Sequence, residues 1–243
     1  MTDDKILQNY LKYLNLRSDD ACIKKVKSYL KLIYDNNSYL NLVGSKDINT
    51  ILTRHFFDCL SVFEFFKEIQ EAELKNSRIL DVGTGAGLPG ILLAIFLESS
   101  NIFLLDSRKK IKIFLSRALK ELNIKNVKII LGRAETLSHN ENLREKFNIV
   151  VARAVASVKI LSEMTIPFCK VGGRVILYKS RKLKEELMAA DKIIPDLGGK
   201  VVNLIEVKVP LLDEYRVLLI IKKQRSTLYK YPRKYVKILK NIS

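Results

Sequence analysis

From residue 77 onward, apolar positions fall into short β-prone runs separated by stretches of helical period, an alternation that predicts βα units. Ile79, Leu80 and Val82 form the first run, NIFLLD ending at Asp106 the second, and the strand opening at Val127 the third. A fourth strand covers Asn148 to Val151 and ends toward Arg153, and Arg174 to Lys179 makes a fifth. Between them the pattern predicts helices over Ile91 to Leu97, Ser107 to Leu122 and Lys182 to Ile194. The Ser107–Leu122 helix is amphipathic and buries Ile111, Phe114, Leu115, Ala118, Leu119 and Leu122 against the sheet. Lys200 to Val209 and Arg216 to Lys222 read as a closing antiparallel pair.

Before residue 77 the period is helical throughout. Helices are predicted over Lys5 to Asn15, Asp20 to Asn36 with Asp19 or Asp20 as cap, Ile48 to His55 and Asp58 to Glu73. Lys75-Asn76-Ser77 is the polar break. The division is a helical extension over 1–76, an α/β domain over 77–225 and a tail over 226–243. Strands alternating with helices give a doubly wound, mostly parallel sheet whose ligand site lies at the carboxyl ends of the strands.

The first βα junction carries the chemistry. In RILDVGTGAGLPGILLAIFL, Gly83, Gly85, Gly87 and Gly90 follow the strand, and Pro89 suits the first turn of the helix. Gly85, Gly87 and Gly90 satisfy the dinucleotide spacing, and Asp106 lies about twenty residues downstream, where a carboxylate grips ribose hydroxyls. NAD and FAD therefore stay open on the glycines alone. Asp81, directly ahead of them, favours S-adenosylmethionine: its charge repels a pyrophosphate and attracts an α-ammonium. At the end of the third strand, Gly132, Ala134 and Glu135 place small residues and an acid at the rim where an adenine can lie.

Composition adds a second signal. The 243 residues carry a formal charge of +17, and residues 1–76 hold equal numbers of acids and bases, so the excess falls in 77–243. Lys222 to Ser243 has eight basic residues, no acid, and Tyr229, Tyr231 and Tyr235 among them, a pairing that suits phosphates and bases. Arg108 to Lys128 adds eight more against Glu121 alone. Three scattered cysteines, Cys22, Cys59 and Cys169, and two histidines, His55 and His139, support neither a disulfide framework nor a metal site. His139, in a polar loop, reads as a solvated side chain. The longest apolar run has seven residues, which predicts no membrane span, and the acidic N-terminus has no apolar signal core, so a soluble cytoplasmic protein is expected.

LDVGTGAGLPGI, LLDS at 104–107, GRAE at 132–135 and ARAVAS at 152–157 together resemble the RsmG family, also called glucose-inhibited division protein B. NLVGSKDINTILTRHFFDCLSV, with Arg54, His55 and Asp58, resembles the segment that family places ahead of its cofactor domain. The resemblance implies a class I, Rossmann-like methyltransferase that moves a methyl from S-adenosylmethionine to the N7 of one guanine in 16S ribosomal RNA of the small ribosomal subunit, leaving S-adenosylhomocysteine. It implies that Gly83, Leu88, Ala134, Glu135 and Arg153 line the cofactor pocket, with Asp106 and Ser107 beside the ribose. Asp81 and Gly85 join that set from the loop itself. Arg54, His55, Arg153 and Lys179 are candidates for positioning the substrate. Arg153 has a second reading, as a structural partner of Glu135 or Glu163. Lys179 is followed by Ser180 where the family commonly has glycine, and the tail departs after Tyr231-Pro232-Arg233.

The fourth strand ends in Ala152-Arg153-Ala154, without the Asn/Asp-Pro-Pro-aromatic segment used on exocyclic amines or a cysteine nucleophile after proline. Guanine N7 is a lone-pair nucleophile with no proton to lose, so transfer to it calls for positioning and not for a general base. The sequence-level alternatives are an NAD(P)-dependent oxidoreductase and a non-catalytic RNA-binding assembly factor. The expected partner is ribosomal RNA, with no protein partner predicted.

Overall fold

The computed structural model describes residues 4–153 and 156–240. Helices α1 (Asp4–Tyr13) and α2 (Asp20–Leu40) open the chain. Asp19 caps α2 by accepting from the Cys22 amide. A continuous helical run follows: α3 (Ile48–Thr50), a π-helical turn (Ile51–Phe57) and α4 (Asp58–Leu60). Two short helices, α5 (Phe63–Phe66) and α6 (Glu71–Leu74), lead to the sheet. The expected pair of helices over Ile48–His55 and Asp58–Glu73 is thus corrected: there is no break at Phe56–Phe57, and the second helix fragments. Phe56, Phe57 and Leu60 are all buried, so the apolar stripe runs through the expected gap.

The sheet region runs β1 (Arg78–Val82), α7 (Gly90–Phe96), β2 (Asn101–Asp106), α8 (Lys109–Glu121), β3 (Val127–Leu131), α9 (Ala134–Leu137), β4 (Phe147–Ala152), α10 (Val158–Thr165), β5 (Cys169–Lys179), α11 (Leu183–Met188), α12 (Ile193–Asp196), β6 (Gly199–Val209), β7 (Leu212–Lys223) and α13 (Tyr235–Lys240). The expected single helix over Lys182–Ile194 is two, α11 and α12. Pro195 explains the division, since its ring would clash with the carbonyl of Asp191 in a continuous helix. Within α8, Leu119 is only partly buried, and the other five expected positions are buried.

The seven strands lie in the order β3-β2-β1-β4-β5-β7-β6, with β5/β7 and β7/β6 antiparallel and the rest parallel. This is the class I methyltransferase form of the doubly wound fold, the class expected from the sequence. An all-parallel dinucleotide sheet has no strand in the position of β7. Strand direction reverses its spread between β1 and β4, which makes their carboxyl ends the topological switch point where such folds bind ligands.

Each face of the sheet has its own core. Ile79, Leu104, Val151, Ile176 and Ile220 pack beneath α7, α8 and the N-terminal helices, whose Leu7, Tyr10, Tyr29 and Phe56 belong to the same cluster. Leu80, Val150, Val175 and Leu219 face α10, α11 and α12. The break at Lys75–Ser77 therefore separates patterns of sequence, while apolar side chains from both sides of it fill one core.

Candidate cofactor and substrate site

The loop after β1 is built from conformations that glycine alone adopts freely. Gly83, Gly85 and Gly87 have φ of +73°, +54° and +88°. A Cβ on Gly83 would meet no atom within 4 Å, so this side of the loop is open to a ligand. Gly90 serves packing instead: a Cβ there would lie 2.1 Å from Leu104 Cδ2 and 2.8 Å from Asp81 Oδ2.

Asp81 pins this loop from inside. Its Oδ2 accepts from Thr84 Oγ1 (2.6 Å) and from the Gly90 amide at the start of α7 (2.9 Å), while Oδ1 is buried with no partner. Burial pushes its carboxyl pKa up to about 6, against the pull of those hydrogen bonds and of Arg153. The amides of Gly83 and Thr84 donate to Leu105 O, the Gly85 amide donates to Asp106 Oδ2, and Tyr29 of α2 donates its hydroxyl to Ala86 O at 2.8 Å. The helical extension thus holds the glycine loop directly.

A cavity of about 320 Å³ opens beside Gly83, between Asp106–Arg108 at the end of β2 and Gly132–Glu135 at the end of β3. Gly83, Asp106, Ser107, Ala134 and Glu135 all face it, as do Arg108, Met164 and Tyr235, which sequence reasoning did not select. Asp106 is nearly buried, and its oxygens take the Arg108 amide and guanidinium at 3.0–3.2 Å in addition to the Gly85 amide. Gly85 lines the loop without facing the cavity. Leu88 is buried in the apolar core under the loop.

Arg153, at the end of β4, is tied to the helical extension. Its guanidinium donates to Asp58 Oδ2 (3.2 Å) and Arg54 O (3.2 Å) and lies 3.1 Å from His55 Nδ1. Its expected structural partners are corrected: neither Glu135 nor Glu163 pairs with it. Glu163 binds Arg233, and Glu135 lies 3.9 Å from Arg133. Asp58 is the hub, since its Oδ1 accepts from Arg216 Nε of β7 at 3.2 Å. Desolvation outweighs both arginines and raises the Asp58 pKa. Burial and the neighbouring arginines lower the His55 pKa to about 4, which keeps the ring neutral, and its Nδ1 must then be the acceptor for Arg153. The Arg54 carbonyl that accepts from Arg153 lies within the π-helical turn over Ile51–Phe57.

Two positioning candidates sit elsewhere. Arg54 turns its guanidinium outward to Glu214 at 2.5 Å. Lys179 is buried and donates to Ala156 O and Glu186 Oε2, both at 2.6 Å; Glu186 also accepts from the Val158 amide. Lys179 therefore fixes the entry to α10. Ala154, beside Arg153, lies outside the described residues. His139, expected to be solvated, is corrected: its Nε2 lies 3.0 Å from Pro232 O and its ring packs edge-on against Tyr229. Asp58 belonged to the matched N-terminal segment but carried no assigned role, and its charge partners are some 95 and 158 residues away. No short-range signal could have revealed them.

No group of three or more histidine, cysteine or acidic side chains that could hold a metal occurs among the described residues, and the three cysteines are buried free thiols. No helix among them is long and apolar enough to cross a membrane.

Comparison with known proteins agrees with this architecture. Proteins named ribosomal RNA small subunit methyltransferase G are 39% identical over 236 residues in Clostridium botulinum (strain ATCC 19397 / Type A), covering 97% of each chain, and 37% identical over 208 residues in Oenococcus oeni, covering 86% of this chain and 84% of the other. In fold, the chain resembles the fibrillarin pre-rRNA processing protein of Methanococcus jannaschii, with a TM-score of 0.51 and 21% identity over 65% of this chain and 71% of that one. Residues 22–226 match the family model GidB, described as rRNA small subunit methyltransferase G, and with relatives of this identity and coverage the chain belongs to that family.

Proposed function

We propose that this protein transfers the methyl group of S-adenosylmethionine to the N7 of a guanine in 16S ribosomal RNA. The observation that carries the cofactor assignment is a pair of unpartnered buried polar atoms of opposite charge, Asp81 Oδ1 and Arg153 Nε, on adjacent strand ends at the switch point. An amino-acid zwitterion supplies a partner for each, its ammonium for Asp81 and its carboxylate for Arg153, whereas a pyrophosphate supplies none for Asp81. Gly83 leaves space for the ligand to pass. Asp106 accepts ribose hydroxyls once the half-exposed Arg108 side chain gives up its two guanidinium bonds. Ala134 and Glu135 border the cleft where the base lies. Among Arg54, His55, Arg153 and Lys179, only His55 and Arg153 stand together at the end of β4; Arg54 takes part there through its carbonyl alone.

The bound cofactor supplies an electrophilic methyl on a sulfonium. That methyl would be open to attack by the guanine N7 lone pair, with sulfur as the leaving group retaining the electrons of the carbon–sulfur bond. The positive charge passes to the base, and no proton leaves. The protein's part is alignment and exclusion of water. A neutral His55 whose Nδ1 is committed to Arg153 suits a reaction that needs no base. Exposed Arg108, Lys109, Lys110 and Arg133 flank the cleft and suit a phosphate-rich partner.

The test is transfer of labelled methyl to small ribosomal subunits from cells lacking this protein, followed by borohydride and aniline cleavage. One new cleavage site in 16S ribosomal RNA is expected. Folded protein that leaves verified unmodified subunits and free RNA unlabelled would overturn the proposal.

A further inference from the structure

From Lys222 to Ser243 the chain carries eight basic residues and no acid, yet two of them, Lys223 and Arg233, are paired with carboxylates inside the fold. Lys223 is buried and donates to Ile166 O and Thr227 Oγ1, with Glu145 3.1 Å away. Arg144 donates to the carbonyls of Thr227, Leu228 and Tyr231, and Glu145 accepts the Thr227 amide at 2.7 Å. Arg233 donates its amide and guanidinium to Glu163 of α10, whose side chain is fully buried. These ties cross from the end of β7, on the far side of β5, toward the cleft at the ends of β1 to β3. An arm that served only to attract RNA would gain from leaving its cations in solvent.

The strap ends in α13, anchored by the fully buried Ile238, and its first residue, Tyr235, lines the cofactor cleft beside Met164. Tyr235 is partly buried there, while Tyr229 earlier in the tail is 73% exposed. Apart from Met164 of α10, the rest of the lining comes from the ends of β1, β2 and β3 and the residues that follow them. We propose that the strap delivers Tyr235 as a wall of the cofactor site, its ring packing on the flat nucleoside of S-adenosylmethionine, so that the C-terminal tail is part of the methyl-donor site. This rests on the cofactor assignment above. The family model ends at residue 226, ahead of this residue.

The test is calorimetric titration of the full-length protein with S-adenosylhomocysteine and with adenosine. Tyr235→Ala is expected to weaken both by roughly tenfold, the size of one lost base–aromatic stack. Tyr235→Phe, which keeps the ring, should remain within about threefold of wild type. Unchanged affinity in Tyr235→Ala would overturn the proposal, and so would tighter binding, which would mean the ring stands in the cofactor's place. Trypsin cleavage after the exposed Lys234 and Lys237 gives a readout on the wild-type chain: saturating S-adenosylhomocysteine should slow it, and an unchanged rate would overturn the proposal even if Tyr235→Ala failed to fold. Wild-type protein that binds neither ligand would instead strike down the cofactor reading.

Discussion

Replacing Asp58 with alanine tests how the helical extension governs the end of β4. Asp58 is buried and holds two guanidinium groups at 3.2 Å each, Arg153 through Oδ2 and Arg216 through Oδ1. At that separation and an effective dielectric of 20, each attraction is about 5 kcal/mol before desolvation is counted. The raised pKa of Asp58 shows that desolvation outweighs these attractions. The larger effect of the substitution is therefore the stranded cation, for which a buried pair typically costs about 3–5 kcal/mol. Arg216 keeps Glu214 at 2.8 Å, but Arg153 keeps only the Arg54 carbonyl and the His55 ring. The expected loss is thus about 3 kcal/mol, most of it from Arg153. Urea unfolding at neutral pH measures it, and Arg153→Met in the Asp58→Ala background should cost at least about 2 kcal/mol less than Arg153→Met alone costs in wild type. S-adenosylhomocysteine affinity should fall in Asp58→Ala even though Asp58 does not face the cavity. A stability loss below about 1 kcal/mol, or strictly additive single and double variants, would refute the reasoning.

Three further outcomes follow from the same geometry. Asp81 has a folded-state pKa raised to about 6, so the fold keeps a proton-linked contribution below pH of about 4 and loses it as pH rises through 6. Asp81→Asn should therefore gain on wild type by on the order of 2 kcal/mol between pH 4 and 7 in parallel denaturation curves, and a flat difference would contradict the assignment. Gly87→Ala puts a Cβ 2.7 Å from Ile91 Cδ1 and 2.9 Å from Leu115 Cδ2 at a φ of +88°, so we expect at least about 2 kcal/mol of destabilisation by thermal and urea unfolding, with cofactor affinity falling alongside. Arg233→Ala leaves the fully buried Glu163 carboxylate without its cation, whereas Glu163→Gln leaves an arginine that is one-quarter exposed and can reach water; the first should cost about 3 kcal/mol and the second clearly less, and equal costs would count against the asymmetry.

The glycine junction, Asp106 and the Gly132–Glu135 turn were legible because their chemistry is local: a strand end, a turn and a helix start lie within a dozen residues of one another. Leu88 sits in the same motif with its side chain buried in the core, a packing contact that the spacing of the glycines does not reveal. The π-helical turn at Ile51–Phe57 was illegible for a related reason, since one extra residue per turn alters hydrogen bonding without removing apolar residues from the buried stripe. Ion pairing was the least accessible. Glu135 and Glu163 are both far nearer Arg153 in sequence than Asp58, and Lys223 and Arg233 looked solvent-facing because Glu145 and Glu163 reach them only through tertiary structure.

The parallel sheet supplies the floor of the site: a glycine loop after β1, an acid at the end of β2 and a small residue after β3. What sets this site apart is attached from outside the sheet. Tyr29 of α2 fixes the Ala86 carbonyl in the glycine loop, Asp58 fixes Arg153, and the strap from β7 brings Tyr235 to the opposite rim. The first tie acts on the glycine loop and the second on the β4 end, while Tyr235 lines the cavity beside Gly83. Because the N-terminal helices share a core with α7 and α8, motion of the extension must displace the loop and Arg153 together. The cationic excess lies beyond residue 76, while the extension that holds the loop and Arg153 is neutral overall.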